Sequence, residues 1–518
     1  MTDKKFAIQA KAECNSAETT AHHGGSAGRP FWNAESSQFM YVPAFQFQPI
    51  PGCWKYRYMA EDEKGETHTF ESDNAHALLA PIWKDIPEGV VKLTVYALDE
   101  EGNEAHTVGV RTFFKLSPFP ADLPPAARSY REAAIMAYKY AMSQQFMIHW
   151  LEGTPDPNYG LNVYPSKMIS AIIEAMLRYS RLCPEDADRA MRIAENSADY
   201  LLGITPKEGP SAGIPPTYEF DFRHSTKTAA VAFDEGFIKE RENWLMCIYP
   251  PNVGSAYLSL EEATGDAKYL DAAIAIGEYY RDHIEENGSW YLIRDIRTGE
   301  VLAPDYCNPL QSIVPFLMKL CKRTGNSIWK ELSDRAVAYI EKSSLAAYDW
   351  GAQFEDSLCS VNYSNLAHNS ATVLINYYCD HCADDEKRMA AADDLTRFLE
   401  DQFIVWKRPA PWNISHYDTS MWHTPCALEQ YAWYVPIDGC TAGIAHSFLA
   451  MYKAGRGELH REKARALMDS LTRTQREDGL IPTHWMTKEN MNGADFWINC
   501  LFASARMLAE FADFFEKE

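Results

Sequence analysis

"ATGDAKYLDAAIAIGEYYRDH" (Ala263–His283) and "RTGNSIWKELSDRAVAYIEKS" (Arg323–Ser343) align by eye, turn and helix together. Each opens on a short turn. Its glycine suits a left-handed helix C-cap, and the Asp or Asn after it suits the next N-cap. Each continues as a helix with apolar residues at a period of about 3.6. The same unit recurs outward in both directions. Helices are predicted in pairs over 166–182 with 186–203, 252–264 with 266–286, 308–323 with 326–344, 364–380 with 384–404, and 439–454 with 459–474. The last, 494–515, is expected to pair with an early helix over 127–148. Turns within pairs are short, as in "LCPED" and "AGRGELH", whereas connections between pairs are long. This is a degenerate internal repeat. First helices such as "GCTAGIAHSFLAMY" are apolar or small nearly all round, and second helices such as "REKARALMDSLTRTQ" are one-sided. An all-round apolar helix is buried and a one-sided one lies at the surface. Six pairs therefore predict a mainly α (α/α)6 barrel over 127–518, with the first helices as its inner ring. An open solenoid would show more uniform repeats and no long insertions confined to one end.

Ahead of the barrel the period is two. From Phe31 to Lys115, "MYVPAFQFQPI", "CWKYRYMAED", "VVKLTVYALD" and "HTVGVRTFFK" read as short strands, with "EDEKGE" and "DEEGNE" as turns. A small antiparallel β-sandwich over 31–116, of the fibronectin-III or immunoglobulin-like kind, is expected. "SPFPADLPP", within 117–126, is a proline-rich linker, and residues 1–30 read as a loose polar arm.

Bulk properties exclude several classes. The 518 residues carry a net charge of -23, which argues against a phosphate-binding surface and an anionic membrane. An acidic sugar is not excluded, because a cleft can be locally basic in an acidic protein. The N-terminus has no apolar run of the kind a signal peptide needs, and no stretch is long and apolar enough to span a membrane. The 12 cysteines show no framework spacing, which predicts reduced thiols and a cytoplasmic location. A lone CxxC, "CDHC" (Cys379–Cys382), lacks the second pair zinc would need. Phosphate-loop, dinucleotide, esterase and zincin motifs are absent. No metal or cofactor is expected.

In a barrel of this kind the long connections converge at one end, which is where a cleft belongs. These connections are rich in rings, carboxylates and amides. The stretch "YDWGAQFEDSLCSVNYSNLAHN" carries Trp350, Glu355, Asp356 and His368. "IHWLEGTPDPNYGLNVYPSK" carries His149, Trp150 and Tyr159. Others supply Tyr434, Asp438, His484 and Trp485. Cleaving a glycosidic bond needs a protonated carboxyl for the leaving oxygen and a second carboxylate that activates water or attacks. Asp356 or Glu355 with Asp438 are the candidate catalytic pair, although an Asp before "GCTAGIAHSF" is also an ordinary N-cap. Trp150, Tyr159, Trp350, Tyr434 and Trp485 are candidate sugar platforms. His149, His368 and His484 are candidate partners of hydroxyls or carboxylates. Elimination from, or epimerisation of, a uronic acid would instead use a Tyr or His base and a carboxylate neutraliser. Arg241, His416 and Tyr417 could supply these groups. A non-catalytic carbohydrate-binding toroid is the third reading.

The paired helices, the "TGD"-type turns and the preceding β region resemble the six-hairpin glycosidase superfamily and the related toroidal polysaccharide lyases. The resemblance is one of architecture over about residues 127–515, and no family-specific catalytic motif is matched. It implies a carbohydrate substrate, here a glycoside hydrolase of oligosaccharides, uronic-acid-containing ones included. The oligomeric state is left open.

Overall fold

The computed structural model describes residues 4–16, 38–219, 241, 243–307, 310–347, 350, 367–408, 410, 422–429, 435–485 and 497–516. Within the predicted arm, helix α1 (Lys4–Ser16) buries Phe6, Ala10 and Cys14, which fall four apart on one face. Seven strands follow: β1 (Gln38–Phe39), β2 (Ala44–Gln46), β3 (Tyr56–Glu61), β4 (Thr67–Ser72), β5 (His76–Leu78), β6 (Gly89–Leu98) and β7 (Glu104–Lys115). Five form one sheet in the order β1-β7-β6-β3-β4, and β2 pairs with β5 as a separate antiparallel ribbon. The expected all-antiparallel arrangement needs one correction, because β1 runs parallel to β7. The ribbon packs on the sheet through rings. Phe45 stacks on Phe113 at 5.3 Å, and Phe39 stands edge-on to both.

The rest is mainly helical, with two short two-stranded ribbons, Trp244–Met246 with Ile293–Asp295 and Ile404–Val405 with Cys426–Ala427. The longer helices are α2 (Tyr130–Met142), α3 (Pro165–Leu182), α4 (Ala187–Ile204), α5 (Pro250–Thr264), α6 (Ala267–Asp282) and α7 (Ile313–Thr324). They continue with α8 (Ile328–Lys342), α9 (Ala367–His381), α10 (Glu386–Phe403), α11 (Asp438–Lys453), α12 (Glu458–Thr474) and α13 (Ile498–Phe515). They pack as the pairs α3/α4, α5/α6, α7/α8, α9/α10, α11/α12 and α13/α2. The first member of each pair touches the next in the series α3, α5, α7, α9, α11, α13, and α13 returns to α3. The contacts therefore close a ring, which an open solenoid would not do. The short turns act as their composition requires. Gly265 and Gly325 end α5 and α7 at φ +74° and +70°, where a side chain is disfavoured. Asp266 then accepts the Lys268 amide to start α6, and Asp385 accepts the Lys387 and Arg388 amides to start α10.

Strand β1 and the loop after it are anchored to the end of α10. Gln38 Nε2 donates to the Gln402 carbonyl at 3.0 Å, and the Met40 and Tyr41 amides both donate to Asp401 Oδ1. This anchoring brings β1 alongside β7 in the same direction. Beside it lies a buried ion pair, Lys463–Glu400 at 2.7 Å, whose carboxylate also accepts from Tyr41 and Trp406. The proline-rich linker is pinned as well. Phe119 packs edge-on to Trp406, and Arg473 donates to the Pro124 and Pro125 carbonyls.

Candidate active site

The inner helices are not apolar all round. On α3, Lys167, Ser170, Glu174, Arg178 and Arg181 recur at intervals of three and four, and so do Asn252, Ser255, Ser259 and Glu262 on α5. Such spacing puts each set on one helix face. These faces look inward and line a cavity of about 730 Å³, to which α7 adds Lys319, α9 adds Asn369 and Thr372, and α13 adds Asn499 and Arg506. That volume lies within the usual range for small-molecule sites.

The wall is cross-linked by charge. Lys319 lies 3.1 Å from Glu174, and Ser259 donates to the same carboxylate at 2.7 Å. Arg178 donates to Glu510 at 3.1 Å. On α11, His446 stands between Glu510 (3.8 Å) and the Asn376 amide (3.3 Å). Burial holds its imidazole below the ordinary histidine value, against the pull of Glu510.

The N-terminal ends of the inner helices, reached by the long connections, form the mouth. Lys167, in the first turn of α3, holds its ammonium over the rings of Tyr164, Tyr249 and Trp497 at 5.8, 5.4 and 5.5 Å. At the head of α11 stands Asp438, fully buried. The N-cap position of this helix belongs to Ile437, so Asp438 is the first helical residue and not an ordinary cap. Its Oδ2 accepts from Ser504 of α13 at 2.9 Å, and its Oδ1 has no partner among the described residues. Burial pushes the carboxyl up to about 8, outweighing Ser504 and the nearby amides. Burial thus favours the protonated form of Asp438.

The other sequence candidates divide by place. His484 and Trp485 lie against this helix head: Ile437 bridges His484, the Asp438 amide donates to the Thr483 carbonyl, and the Trp485 amide donates to the Pro436 carbonyl. His368 sits near the start of α9, its Nε2 2.9 Å from the Glu429 carbonyl and 3.5 Å from Cys440 Sγ. Tyr159 is buried, stacked on Phe146 at 3.8 Å. Trp150 packs edge-on to Tyr200 of α4, and Trp350 stacks on Phe398 of α10, so both rings are buried against outer helices. His149 lies in a 3-10 turn with Thr154 and Glu152 as neighbours. None of these residues lines the cavity described above. Glu355, Asp356 and Tyr434, like His416 and Tyr417, lie outside the described residues. Arg241 lies over Trp244 at 4.8 Å. The cavity-lining stripes and His446 are the residues sequence reasoning missed. Their signal was the three–four spacing of polar residues on otherwise apolar helices.

Among the described residues no cluster of His, Cys, Asp or Glu could hold a metal ion. The "CDHC" sulfurs turn elsewhere, Cys379 to Met451 and Cys382 to Arg388. No described helix is long and apolar enough to cross a membrane.

No protein-family model and no curated protein matches the chain. Among solved structures it is similar to a family 76 glycoside hydrolase from a bovine Bacteroides thetaiotaomicron strain. The identity is 10% over 93% of this chain and 97% of that one, with a TM-score of 0.45. It is also similar to a sugar epimerase from a ruminal bacterium (14% identity, 74% and 99% covered, TM-score 0.49). A third is an unsaturated glucuronyl hydrolase specific for heparin (11% identity, 75% and 97% covered, TM-score 0.43). The architecture-level resemblance to the six-hairpin superfamily stands on the closed ring of six helix pairs.

Proposed function

We propose that this chain is a carbohydrate-active enzyme, a glycoside hydrolase of oligosaccharides, whose substrate enters the mouth of an (α/α)6 lumen. One observation carries the hydrolytic reading. Asp438 stands at the head of inner helix α11 as a carboxyl whose burial favours the protonated form, with one oxygen that no described group satisfies. A protonated carboxyl is what a leaving glycosidic oxygen requires, and a strongly raised carboxyl with a spare valence marks a functional site more than a capping residue. In this reading Asp438 is the general acid, and Glu355 or Asp356 supplies the second carboxylate. His484, Trp485 and His368 orient the sugar beside it, and the lumen stripes hold its hydroxyls. The β region, pinned through Asp401 and the linker, buttresses the ring.

A second reading has its own observation. His446 is a neutral imidazole flanked by Glu510, with Arg178 bound to that carboxylate. A neutral imidazole near guanidinium groups is the equipment for removing a proton beside a sugar carboxylate or carbonyl, as in elimination or epimerisation.

The test is a screen of purified protein against neutral and uronic oligosaccharides, followed by mass spectrometry and ultraviolet absorbance. Asp438→Asn and His446→Asn are run alongside. Products that gain one water in total and vanish in Asp438→Asn are expected. Unsaturated or isomerised products that vanish in His446→Asn establish the second reading instead. Tight binding without turnover on every glycan would reduce the chain to a sugar-binding toroid.

A further inference from the structure

We propose that the short-turn end of the lumen is a phosphate-binding site, in which Arg178, Arg506 and Tyr138 hold the oxyanion. The site is independent of the sugar chemistry proposed above, since Asp438, His368 and His484 do not line this cavity.

The cavity runs the length of the ring. Its lining on α3 extends from Lys167 in the first turn to Arg181 in the last, about 21 Å at the helical rise. On α5 it reaches Glu262, in the last turn before Gly265. Arg181 and Glu262 are both exposed, so solvent reaches the short-turn end. The lining also sorts by depth. Asn252, Ser255, Asn369, Thr372 and Asn499, in first and second turns, offer neutral amides and hydroxyls. The charged groups other than Lys167 gather toward the other end.

Donors outnumber acceptors there. Lys319 and Ser259 engage Glu174, and Arg178 commits one nitrogen, Nη2, to Glu510 at 3.1 Å. Arg181 and Arg506 make no ion pair among the described residues, and Glu262 is the one lining carboxylate left to oppose them. The chain as a whole carries -23, which argues against a phosphate-binding surface, but a cavity of opposite sign to its protein draws anions in.

Tyr138 adds a donor from a third helix. It belongs to outer helix α2, yet its ring lies between Tyr179 of α3 (5.9 Å) and Phe502 of α13 (6.0 Å) and borders the cavity. The residue is fully buried, and its hydroxyl has no hydrogen-bond partner among the described residues. Burial pushes that hydroxyl up, and the charges of Arg178 and Arg506 oppose the shift. A buried O–H without an acceptor is costly unless something else requires it. Donors converging from α2, α3 and α13 call for an acceptor that can be met from several directions. A planar carboxylate meets one guanidinium fork, whereas a tetrahedral phosphate group can take both forks and the hydroxyl together.

The experiment is calorimetry on the full chain with inorganic phosphate, glycerol phosphate, acetate and chloride at constant ionic strength. Wild type is compared with Arg506→Gln, Tyr138→Phe and Glu262→Gln, and thermal melting without ligand checks that each variant folds. We expect phosphate to bind about tenfold or more tightly than acetate or chloride and to raise the melting temperature. Arg506→Gln should weaken it by about tenfold, and Tyr138→Phe, which removes only the hydroxyl, by several-fold, as the loss of charge-assisted hydrogen bonds does. Glu262→Gln, which removes the opposing carboxylate, should tighten it. Glycerol phosphate binding as well as the inorganic ion would assign the site to phosphomonoesters, and binding of the inorganic ion alone would assign it to free phosphate; both uphold the site. No binding, equal binding of acetate or chloride, or phosphate affinity unchanged in both Arg506→Gln and Tyr138→Phe overturns the inference.

Discussion

Asp438 and Asp401 are both buried, and burial pushes both carboxyls up, to about 8 and about 7. They differ in their company. At the seam between sheet and ring, Asp401 accepts the Met40 and Tyr41 amides on one oxygen and Gln402 Nε2 on the other. At the head of α11, Asp438 accepts Ser504 on one oxygen and has no described partner on the other. The shift alone says only that a carboxyl has lost water. Whether its valences are used up separates a fastener from a reagent, because a buried polar atom left unsatisfied is costly unless something else requires it.

The largest effect that could break this contrast is on turnover. Asp438→Asn should lower kcat on the best glycan by roughly a hundred- to ten-thousandfold, the usual weight of a general acid. Its thermal melting should stay close to wild type. Unchanged kcat in that variant would make Asp438 a second fastener. At the seam the effect should fall on stability. Lys463→Met leaves Glu400 buried without its cation, and urea denaturation should show a loss of about 3–5 kcal/mol. Asp401→Ala strands two backbone amides and should cost about 2–3 kcal/mol, with kcat per folded molecule preserved.

The pH dependence sharpens the contrast further. Folded Asp401 holds its proton more tightly than the unfolded chain, whose aspartate value is 3.8. Its contribution to stability is therefore fully present below about pH 4 and is lost as pH rises toward about 7. Denaturation midpoints across that window should fall in wild type and fall less in Asp401→Asn. Asp438 acts in the same direction up to about 8, and catalysis that needs its proton should decline above about pH 8. The smallest effect scales the others. Gly265→Ala, in a turn remote from both carboxyls, should cost about 1 kcal/mol through its positive φ.

The ring was legible because its signals are local. Glycine at 265 and 325, Asp at 266 and 385, and the 3.6 period settle where helices stop and start before any tertiary contact exists. The mouth was partly legible for the same reason: Asp438, His368 and His484 stand beside the starts of inner helices. Direction was not legible. A tryptophan among polar residues reads the same whether it faces a cleft or a neighbour, and Tyr200 and Phe398, which cover Trp150 and Trp350, come from helices distant in sequence. The lumen stripes were hidden by averaging, since Ser, Ala and Asn make a helix look small and apolar overall while Glu174 and Arg178 face inward. Helix α1 was masked by its polar composition, although Phe6, Ala10 and Cys14 recur every fourth residue.

The inner helices that line the cavity divide their circumference between two duties. On α3, Met168, Ile169, Ile172 and Ile173 are packed into the protein, while Lys167, Glu174 and Arg178 look into the cavity. The ring can therefore keep its shape while its inner wall is rewritten one position at a time, each change costing little because the site already faces open space. A lineage built on such a scaffold can explore new ligands by drift along a few helical stripes, without first acquiring a new fold or a stabilising companion mutation.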